Sequence, residues 1–146
     1  KILIANRGEI ALRVVRACRE LEIKTVGVFS DPDYNLPHLK FVDQKVALGG
    51  SLPQETYLNE EKIIRACELT GVDALHPGYG FLSENAEFAR KLEERGIAFI
   101  GPGADLLERM KNKLQVKKIL EEAGIPVVPG SKEPVRDEKE AKKIKN

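Results

Sequence analysis

The stretch HPGYGFLSEN, which begins at His76, carries the residues best suited to bind a ligand. Its Gly78-x-Gly80-x-x-Ser83 spacing matches half of the glycine fingerprint of phosphate-binding turns. The other interpretation is a tight turn in which Ser83 caps the following helix. Tyr79 favours the interpretation as a binding loop, because an aromatic ring between two glycines is exposed rather than buried. His76 lies at a strand end, where a histidine is more often structural than catalytic. The pattern alone leaves a phosphate cradle, another binding loop and a plain turn open.

The turn NRGE at residues 6–9 is a second candidate for nucleotide binding. A nicotinamide-binding domain needs G-x-G-x-x-G here, and only Gly8 is present. Asp31 lies where a dinucleotide-binding domain has the acidic residue that binds the ribose. A turn residue is the favoured interpretation, because aspartate is common in turns. Since no G-x-x-x-x-G-K-S/T occurs either, the sequence disfavours a dinucleotide domain and excludes a P-loop.

A third candidate is the KNK stretch that ends at Lys113, a few residues after a Gly-Pro-Gly turn at 101–103. A lysine beside a glycine-flanked crevice can hold a phosphate as a point charge. A solvated helix start is the alternative, and the spacing alone favours it.

One polar stripe on the first helix is also of interest. Arg13, Arg16 and Glu20 are three and four residues apart, which places them on one helix face. The stripe is either a solvated face or a salt-bridged contact with a partner subunit.

Composition narrows the class of protein. The 146 residues include 24 Lys and Arg and 23 Asp and Glu, which gives a net charge of +1. The sequence therefore lacks the excess of positive charge that is typical of proteins that bind nucleic acid or an anionic membrane. No apolar run or leader pattern predicts a membrane helix or a secretory signal. Cys18 and Cys67 fall in apolar helical registers, which predicts buried thiols in a reducing compartment. No metal-ligand spacing occurs, and we expect no metal site in this chain.

Apolar runs alternate with helical periods along the chain. The predicted strands are unbroken apolar runs, which is typical of a parallel sheet covered on both faces. The fold class is therefore predicted to be α/β, with a Rossmann-like, doubly wound parallel sheet. The predicted strands cover residues 1–5, 24–29, 45–48, 72–75 and 97–100, and the predicted helices residues 10–21, 60–70, 83–95, 104–110 and 114–123.

Four stretches together resemble a known family. KILIANRGEIALRVVRACRELEIKTV at 1–26, YLN at 57–59, HPGYGFLSEN at 76–85 and FIGP at 99–102 resemble the N-terminal part of biotin carboxylase. That enzyme occurs alone or as the leading portion of acetyl-CoA, propionyl-CoA, methylcrotonyl-CoA and pyruvate carboxylases. The segment VDQKVALGG at 42–50 departs from the usual pattern of the family.

The resemblance implies a reaction and a domain order. The family uses ATP and magnesium to activate bicarbonate, and it carboxylates biotin on a carrier protein, which then serves a carboxyltransferase. Residues 1–113 correspond to the Rossmann-like layer that precedes an ATP-grasp domain, and residues 114–146 to a linker helix and the start of that domain. The family implies a cytoplasmic location in bacteria or the mitochondrial matrix in eukaryotes.

The resemblance also assigns roles to single residues. Lys113 takes the place of a lysine that contacts ATP, although Lys-Asn replaces the usual Gly-Asp before it. Tyr79 and Gly80 correspond to residues beside the biotin ureido group. The dimer interface of the family corresponds to the stripe of Arg13, Arg16 and Glu20.

The resemblance implies that the catalytic residues and magnesium ligands of the family lie downstream of the stretch that these 146 residues match. We therefore expect this chain to fold without catalysing the reaction alone. Two other interpretations stay open at this point: the first layer of another ATP-grasp ligase such as a carbamoyl-phosphate synthetase, and a non-catalytic dimerisation module.

Overall fold

A computed structural model describes residues 1–128, and its centre is a five-stranded parallel sheet. The strand order is β3-β2-β1-β4-β5. From β1 the chain adds β2 and β3 on one side, then returns to add β4 and β5 on the other, which confirms the predicted doubly wound sheet. The strands are β1 Ile2–Ile4, β2 Thr25–Phe29, β3 Gln44–Ala47, β4 Ala74–His76 and β5 Ala98–Phe99.

Helices follow most of the strands, close to their predicted positions. The second begins at an asparagine cap, Asn59, whose side chain accepts a hydrogen bond from the Lys62 amide at 3.0 Å, and it ends at Gly71 with φ of 58°. Short 3-10 helices cover Asp31–Asp33, Pro37–Lys40 and Pro53–Glu55. The α-helices are α1 Gly8–Glu20, α2 Glu60–Thr70, α3 Ala86–Glu93, α4 Ala104–Met110 and α5 Lys113–Glu122.

The predicted start of α3 at Ser83 is wrong. Asn85 is the cap, and its side chain accepts from the Phe88 amide at 3.0 Å. Ser83 instead donates its backbone N–H to the Gly80 carbonyl at 2.9 Å, inside a turn that includes Phe81 at φ of +44°. A left-handed residue interrupts helical geometry, so the helix begins only after this turn.

The two faces of the sheet carry unequal cores. Because successive strand residues point to opposite faces, Leu3 packs on one side of β1 and Ile4 on the other. The Leu3 side holds the larger cluster, with residues from α2 and α3. The Ile4 side holds a small cluster with Ala11 and Val15 of α1. Helix α1 thus supplies most of the smaller core, and a groove lined by apolar residues of the same helix lies beside that core.

Both cysteines are free and buried, as predicted. Burial raises the pKa of Cys67 to about 12, and it also raises the pKa of Cys18. Such thiols are inert in the sense that the reactive thiolate is disfavoured. No helix within the described residues is long and apolar enough to cross a membrane.

The chain divides into two compact units, Lys1–Ala104 and Asp105–Asn146. The sheet belongs to the first unit. In the second, Asn112 caps α5 by accepting from the amides of Leu114 and Gln115 at 3.1 and 3.3 Å. The domain boundary predicted after residue 113 stays a prediction, and residues 129–146 of that second domain lie outside the described part.

Candidate functional site

The site forms where the direction of strand addition changes, at the carboxyl ends of β1 and β4. Ligands of open parallel sheets bind at this edge, because the loops that follow two diverging strands leave a crevice. Ala5, Asn6 and Arg7 follow β1. The residues after β4 form what we call the glycine loop, residues 77–81.

The glycine loop has an unusual backbone. Gly78, Gly80 and Phe81 have φ of +66°, +65° and +44°, which is the left-handed region that glycine enters freely and other residues rarely do. Between the glycines, the Tyr79 residue is 76% exposed. The structure therefore displays Tyr79 as its sequence context predicted.

The start of the loop is fixed by polar contacts. The Gly78 amide donates to His76 Nδ1 at 3.0 Å. Asn6 Nδ2 donates to the carbonyl oxygens of Pro77 and Tyr79, each at 2.8 Å. Burial lowers the pKa of His76, which favours the neutral imidazole that can accept this bond. His76 thus has a structural role here, in line with the interpretation favoured from its position.

Steric contact allows only glycine at position 78. A Cβ atom built on Gly78 would lie 2.6 Å from Asn6 Nδ2 and 2.8 Å from Ile10 Cγ2. Gly80 has the same φ, yet nothing lies within 4 Å of a Cβ built there. The first glycine is required by close packing, whereas the second leaves open space beside the exposed tyrosine.

The end of the loop packs on a buried polar cluster. The ring of Phe81 stacks on the ring of Tyr57 with centroids 5.0 Å apart. The Arg7 guanidinium lies over both rings, 5.4 Å from the Tyr57 centroid and 5.8 Å from that of Phe81. Arg7 Nη1 also pairs with Asp33 Oδ2 at 3.0 Å. Cation–π contacts of this kind add to the ion pair in fixing the ring stack.

Asp33 is the centre of that cluster. Its Oδ2 accepts from Ser30 Oγ at 2.7 Å and from the Tyr57 hydroxyl at 2.8 Å, besides the Arg7 contact. Burial alone raises the pKa of Asp33, but these three donors outweigh it and hold the pKa below its ordinary value. Burial raises the pKa of Tyr57 to about 12. Both groups keep one protonation state near neutrality, which suits a scaffold rather than proton transfer.

An apolar groove of about 620 Å³ runs beside Tyr79 along α1. Its floor includes Ile10, Val14 and Ala17 of the helix, and Arg13 lines its edge. The groove shows that the exposed tyrosine and the first helix share one surface.

The predicted interface residues lie on α1 with exposed side chains. Arg13, Arg16 and Glu20 are all exposed. Arg13 Nη1 lies 3.8 Å from Glu9 Oε1, with side-chain exposures of 73% and 72%. Such an open pair contributes little to stability. The structure brings Arg13 to the same groove as Tyr79.

Lys113, the predicted ATP contact, is the first residue of α5 in the second unit. Its side chain lies outside what the structure describes. Its proximity to ATP stays a prediction.

A second groove of about 840 Å³ lies between α2 and α3 and is lined mainly by charged side chains. Lys91 Nζ pairs with Glu60 Oε2 at 2.8 Å, and Arg95 Nε with Glu68 Oε1 at 3.3 Å. These charges are paired with one another. Within residues 1–128, no group of three or more His, Cys, Asp or Glu side chains is placed to hold a metal ion.

Sequence reasoning missed Asn6, Arg7, Asp33 and Tyr57 as parts of this site. The NRGE turn lacks the glycine fingerprint, but its position after a strand is a signal that its polar side chains reach the binding edge. Tyr57 and Asp33 gave no such signal, because their pairing depends on how distant loops meet.

Known proteins are similar to this chain over nearly its whole length. The family model "Biotin carboxylase, N-terminal domain" matches residues 1–107. A biotin carboxylase of Haemophilus influenzae is 51% identical over 138 residues, which is 94% of this chain and 31% of that protein. The chain therefore spans about a third of the length of the curated relatives it matches.

Solved structures agree. A biotin carboxylase of Campylobacter jejuni, in a complex named as containing β,γ-ATP, superposes with a TM-score of 0.89 at 42% identity, covering 98% of this chain and 32% of that one. The biotin carboxylase domain of 2-oxoglutarate carboxylase from Hydrogenobacter thermophilus, described as a dimer with MgADP and bicarbonate, gives 0.86 at 46% identity, covering 97% and 31%.

Proposed function

Since the chain belongs to the biotin carboxylase N-terminal domain family, we propose that it forms the first domain of an ATP-dependent ligase that carboxylates biotin. In that enzyme ATP and magnesium activate bicarbonate, and the carboxyl group passes to a ureido nitrogen of biotin on a carrier protein. A carboxyltransferase then receives the carboxyl group from the carrier.

The observation that carries the proposal for this chain is the glycine loop. It holds a 76% exposed aromatic side chain on a backbone fixed by buried hydrogen bonds. Tyr79 and Gly80 fit a flat polar ring such as the biotin ureido group, because the tyrosine offers a ring face and a hydroxyl and Gly80 leaves space beside it. These residues bind and orient biotin, and proton transfer falls to groups in the rest of the enzyme.

Nucleotide binding involves Lys113 of this chain. Lys113 contacts a phosphate of ATP as a point charge, in keeping with its place in the family motif. Magnesium ligands and the groups that act on bicarbonate belong to the rest of the enzyme. The family match, and the MgADP named with the Hydrogenobacter thermophilus relative, support nucleotide binding by the full-length enzyme.

The outer face of α1, defined as Arg13, Arg16 and Glu20, forms part of a homodimer contact in the full-length enzyme. Its exposed charges of both signs suit a self-complementary two-fold interface, in which an arginine of one subunit can face the glutamate of the other and the reverse pair forms across the axis. The dimer of the Hydrogenobacter thermophilus relative supports this proposal.

The test is activity of the full-length enzyme against that of the isolated chain. We expect the full-length enzyme to cleave ATP in the presence of bicarbonate and to form carboxybiotin from free biotin, and the 146-residue chain to do neither. Full-length enzyme that cleaves ATP with another acceptor and never carboxylates biotin would contradict the function. Bicarbonate-dependent ATP cleavage by the isolated chain would contradict the division of roles.

A further inference from the structure

The side chain of Asn6 continues the β1–β4 ladder into the glycine loop. The last backbone bond between these strands runs from the Ala5 amide to the His76 carbonyl at 2.9 Å. After this bond, the contact between the segments that follow β1 and β4 is made by a side chain. Asn6 Nδ2 donates to the carbonyls of Pro77 and Tyr79, both at 2.8 Å. One side chain therefore holds two carbonyl groups of the loop.

Every hydrogen-bonding group of the Asn6 amide is engaged. Asn6 Oδ1 accepts from the Arg7 backbone N–H at 2.9 Å, and the residue is only 4% exposed. A flipped amide would set Oδ1 against two carbonyl oxygens, so the network fixes its orientation. Aspartate, serine and alanine all lack the two N–H donors that Asn6 Nδ2 uses here.

The same amide packs against the loop backbone. The Cβ position of Gly78 lies 2.6 Å from Asn6 Nδ2, so the glycine is pressed onto the amide. The carbonyl of Tyr79 is thus held from the protein side while its ring projects to solvent. This is the arrangement of a preorganised binding group, which binds without first losing backbone freedom.

We infer that Asn6 is a positioning residue for biotin, which acts by fixing the backbone on which Tyr79 and Gly80 are presented. The inference rests on the proposed biotin contact of those two residues. Asn6 itself lies beneath the loop and is buried, so it works through Tyr79 and not by touching biotin.

The consequence is a separation between two activities. Loosening the loop weakens the binding of biotin, whereas ATP cleavage depends on groups elsewhere in the enzyme. A residue that merely stabilised the fold would lower both activities together. The KM for biotin, read against ATP cleavage without biotin, therefore distinguishes positioning from general stability.

The experiment uses the full-length enzyme with Asn6→Asp, which keeps the shape and replaces the two donors by an anionic oxygen. Asn59→Asp is the matched control, because the cap of α2 uses only the side-chain oxygen of Asn59 and aspartate retains it. For Asn6→Asp we expect the KM for free biotin to rise about tenfold or more, with bicarbonate-dependent ATP cleavage in the absence of biotin within about twofold of wild type. Asn59→Asp should change neither value.

Asn6→Ala removes both donors without adding a charge, and it carries the same test if the aspartate variant does not fold. A KM within about twofold of wild type for a folded Asn6 variant would overturn the inference, as would a parallel loss of ATP cleavage at unchanged KM.

A double variant separates this inference from the proposed function. If Asn6 acts through the backbone that presents Tyr79 and Gly80, then Asn6→Ala combined with Tyr79→Ala raises the KM by less than the product of the two single effects. Multiplicative effects would overturn the role of Asn6 and leave the biotin contact intact. An unchanged KM in Tyr79→Ala alone would instead contradict the biotin contact itself, and with it the role of Asn6.

Discussion

The glycine loop and Arg13 of the outer face of α1 line the same groove, yet the loop and the outer face are built in opposite ways. The backbone of the loop is fixed by hydrogen bonds from the side chain of Asn6, a residue that is only 4% exposed. The outer face presents charged side chains to solvent, and the contact between Arg13 and Glu9 is a 3.8 Å pair between two exposed groups. Fixed geometry suits recognition of one small molecule, whereas adaptable surface charge suits association that is sensitive to salt.

The largest effect is expected at Gly78. Gly78→Ala adds a Cβ 2.6 Å from Asn6 Nδ2 at φ of +66°, whereas Gly80→Ala meets the same φ in open space. We expect losses in the free energy of unfolding of about 3 kcal/mol for Gly78→Ala and about 1 kcal/mol for Gly80→Ala. Urea unfolding of the chain followed by circular dichroism measures both. Equal losses would show that the loop is not pressed against Asn6.

Next in size is the removal of Arg7. Arg7→Ala deletes the ion pair to Asp33 and the contacts over the rings of Tyr57 and Phe81. Since Arg7 is partly exposed, we expect a loss of about 1.5 kcal/mol. The control Arg13→Ala, on the outer face of α1, should cost less than about 0.5 kcal/mol. Similar values for the two variants in the same unfolding measurement would remove the contrast between the regions.

A smaller effect should appear as a pH dependence. Burial lowers the pKa of both histidines, His38 and His76, so the unfolded chain binds more protons than the folded chain just below pH 6.5. The contribution of the histidines to stability is therefore constant above about pH 6.5, and it declines as the pH falls from there to the folded-state pKa. Carboxylates with lowered pKa, such as Asp33 and Asp43, contribute only at lower pH, below about 4.

The loop part of this decline can be isolated with His76→Gln. This variant does not titrate, so the decline just below about pH 6.5 should be shallower than in wild type, while His38 retains its share. Urea unfolding at several pH values within this window measures the difference. Identical slopes for wild type and His76→Gln would show that His76 does not couple to folding.

The smallest change in stability is expected on the outer face of α1. Arg16→Glu should alter the free energy of unfolding of the chain by less than about 0.5 kcal/mol, because the side chain is exposed. In the full-length enzyme the same change should shift sedimentation from dimer towards monomer, since it reverses a charge at the proposed interface. Arg65→Glu, on exposed α2 surface, is the control and should leave sedimentation unchanged.

Local patterns predicted the elements of the fold well. Unbroken apolar runs marked the parallel strands, because strands covered on both faces need no alternation. Asn59 and Gly71 marked the ends of α2 through capping and left-handed geometry. The predicted start of α3 was wrong, because Asn85 caps the helix in place of Ser83. The turn before the cap contains Phe81 in a left-handed conformation, which no local sequence pattern predicts.

The site was predicted only in part, for a physical reason. Tyr79 could be singled out from its neighbours, since the two glycines that display it are local. The hydrogen bonds of Asn6 to the loop join residues 71 and 73 positions apart, and they arise only because β1 and β4 are adjacent in the sheet. Sequence patterns fix elements within a short window, whereas the pairing of strand ends is a property of topology.

The central claim is that the glycine loop presents Tyr79 to biotin, and the KM of the full-length enzyme for free biotin tests it most directly. Tyr34→Ala is the matched control, because Tyr34 is 66% exposed against 76% for Tyr79 and lies outside the loop. We expect Tyr79→Ala to raise the KM about tenfold or more, and Tyr34→Ala to leave it within about twofold of wild type. An unchanged KM in Tyr79→Ala, or an equal rise in both variants, would contradict the claim.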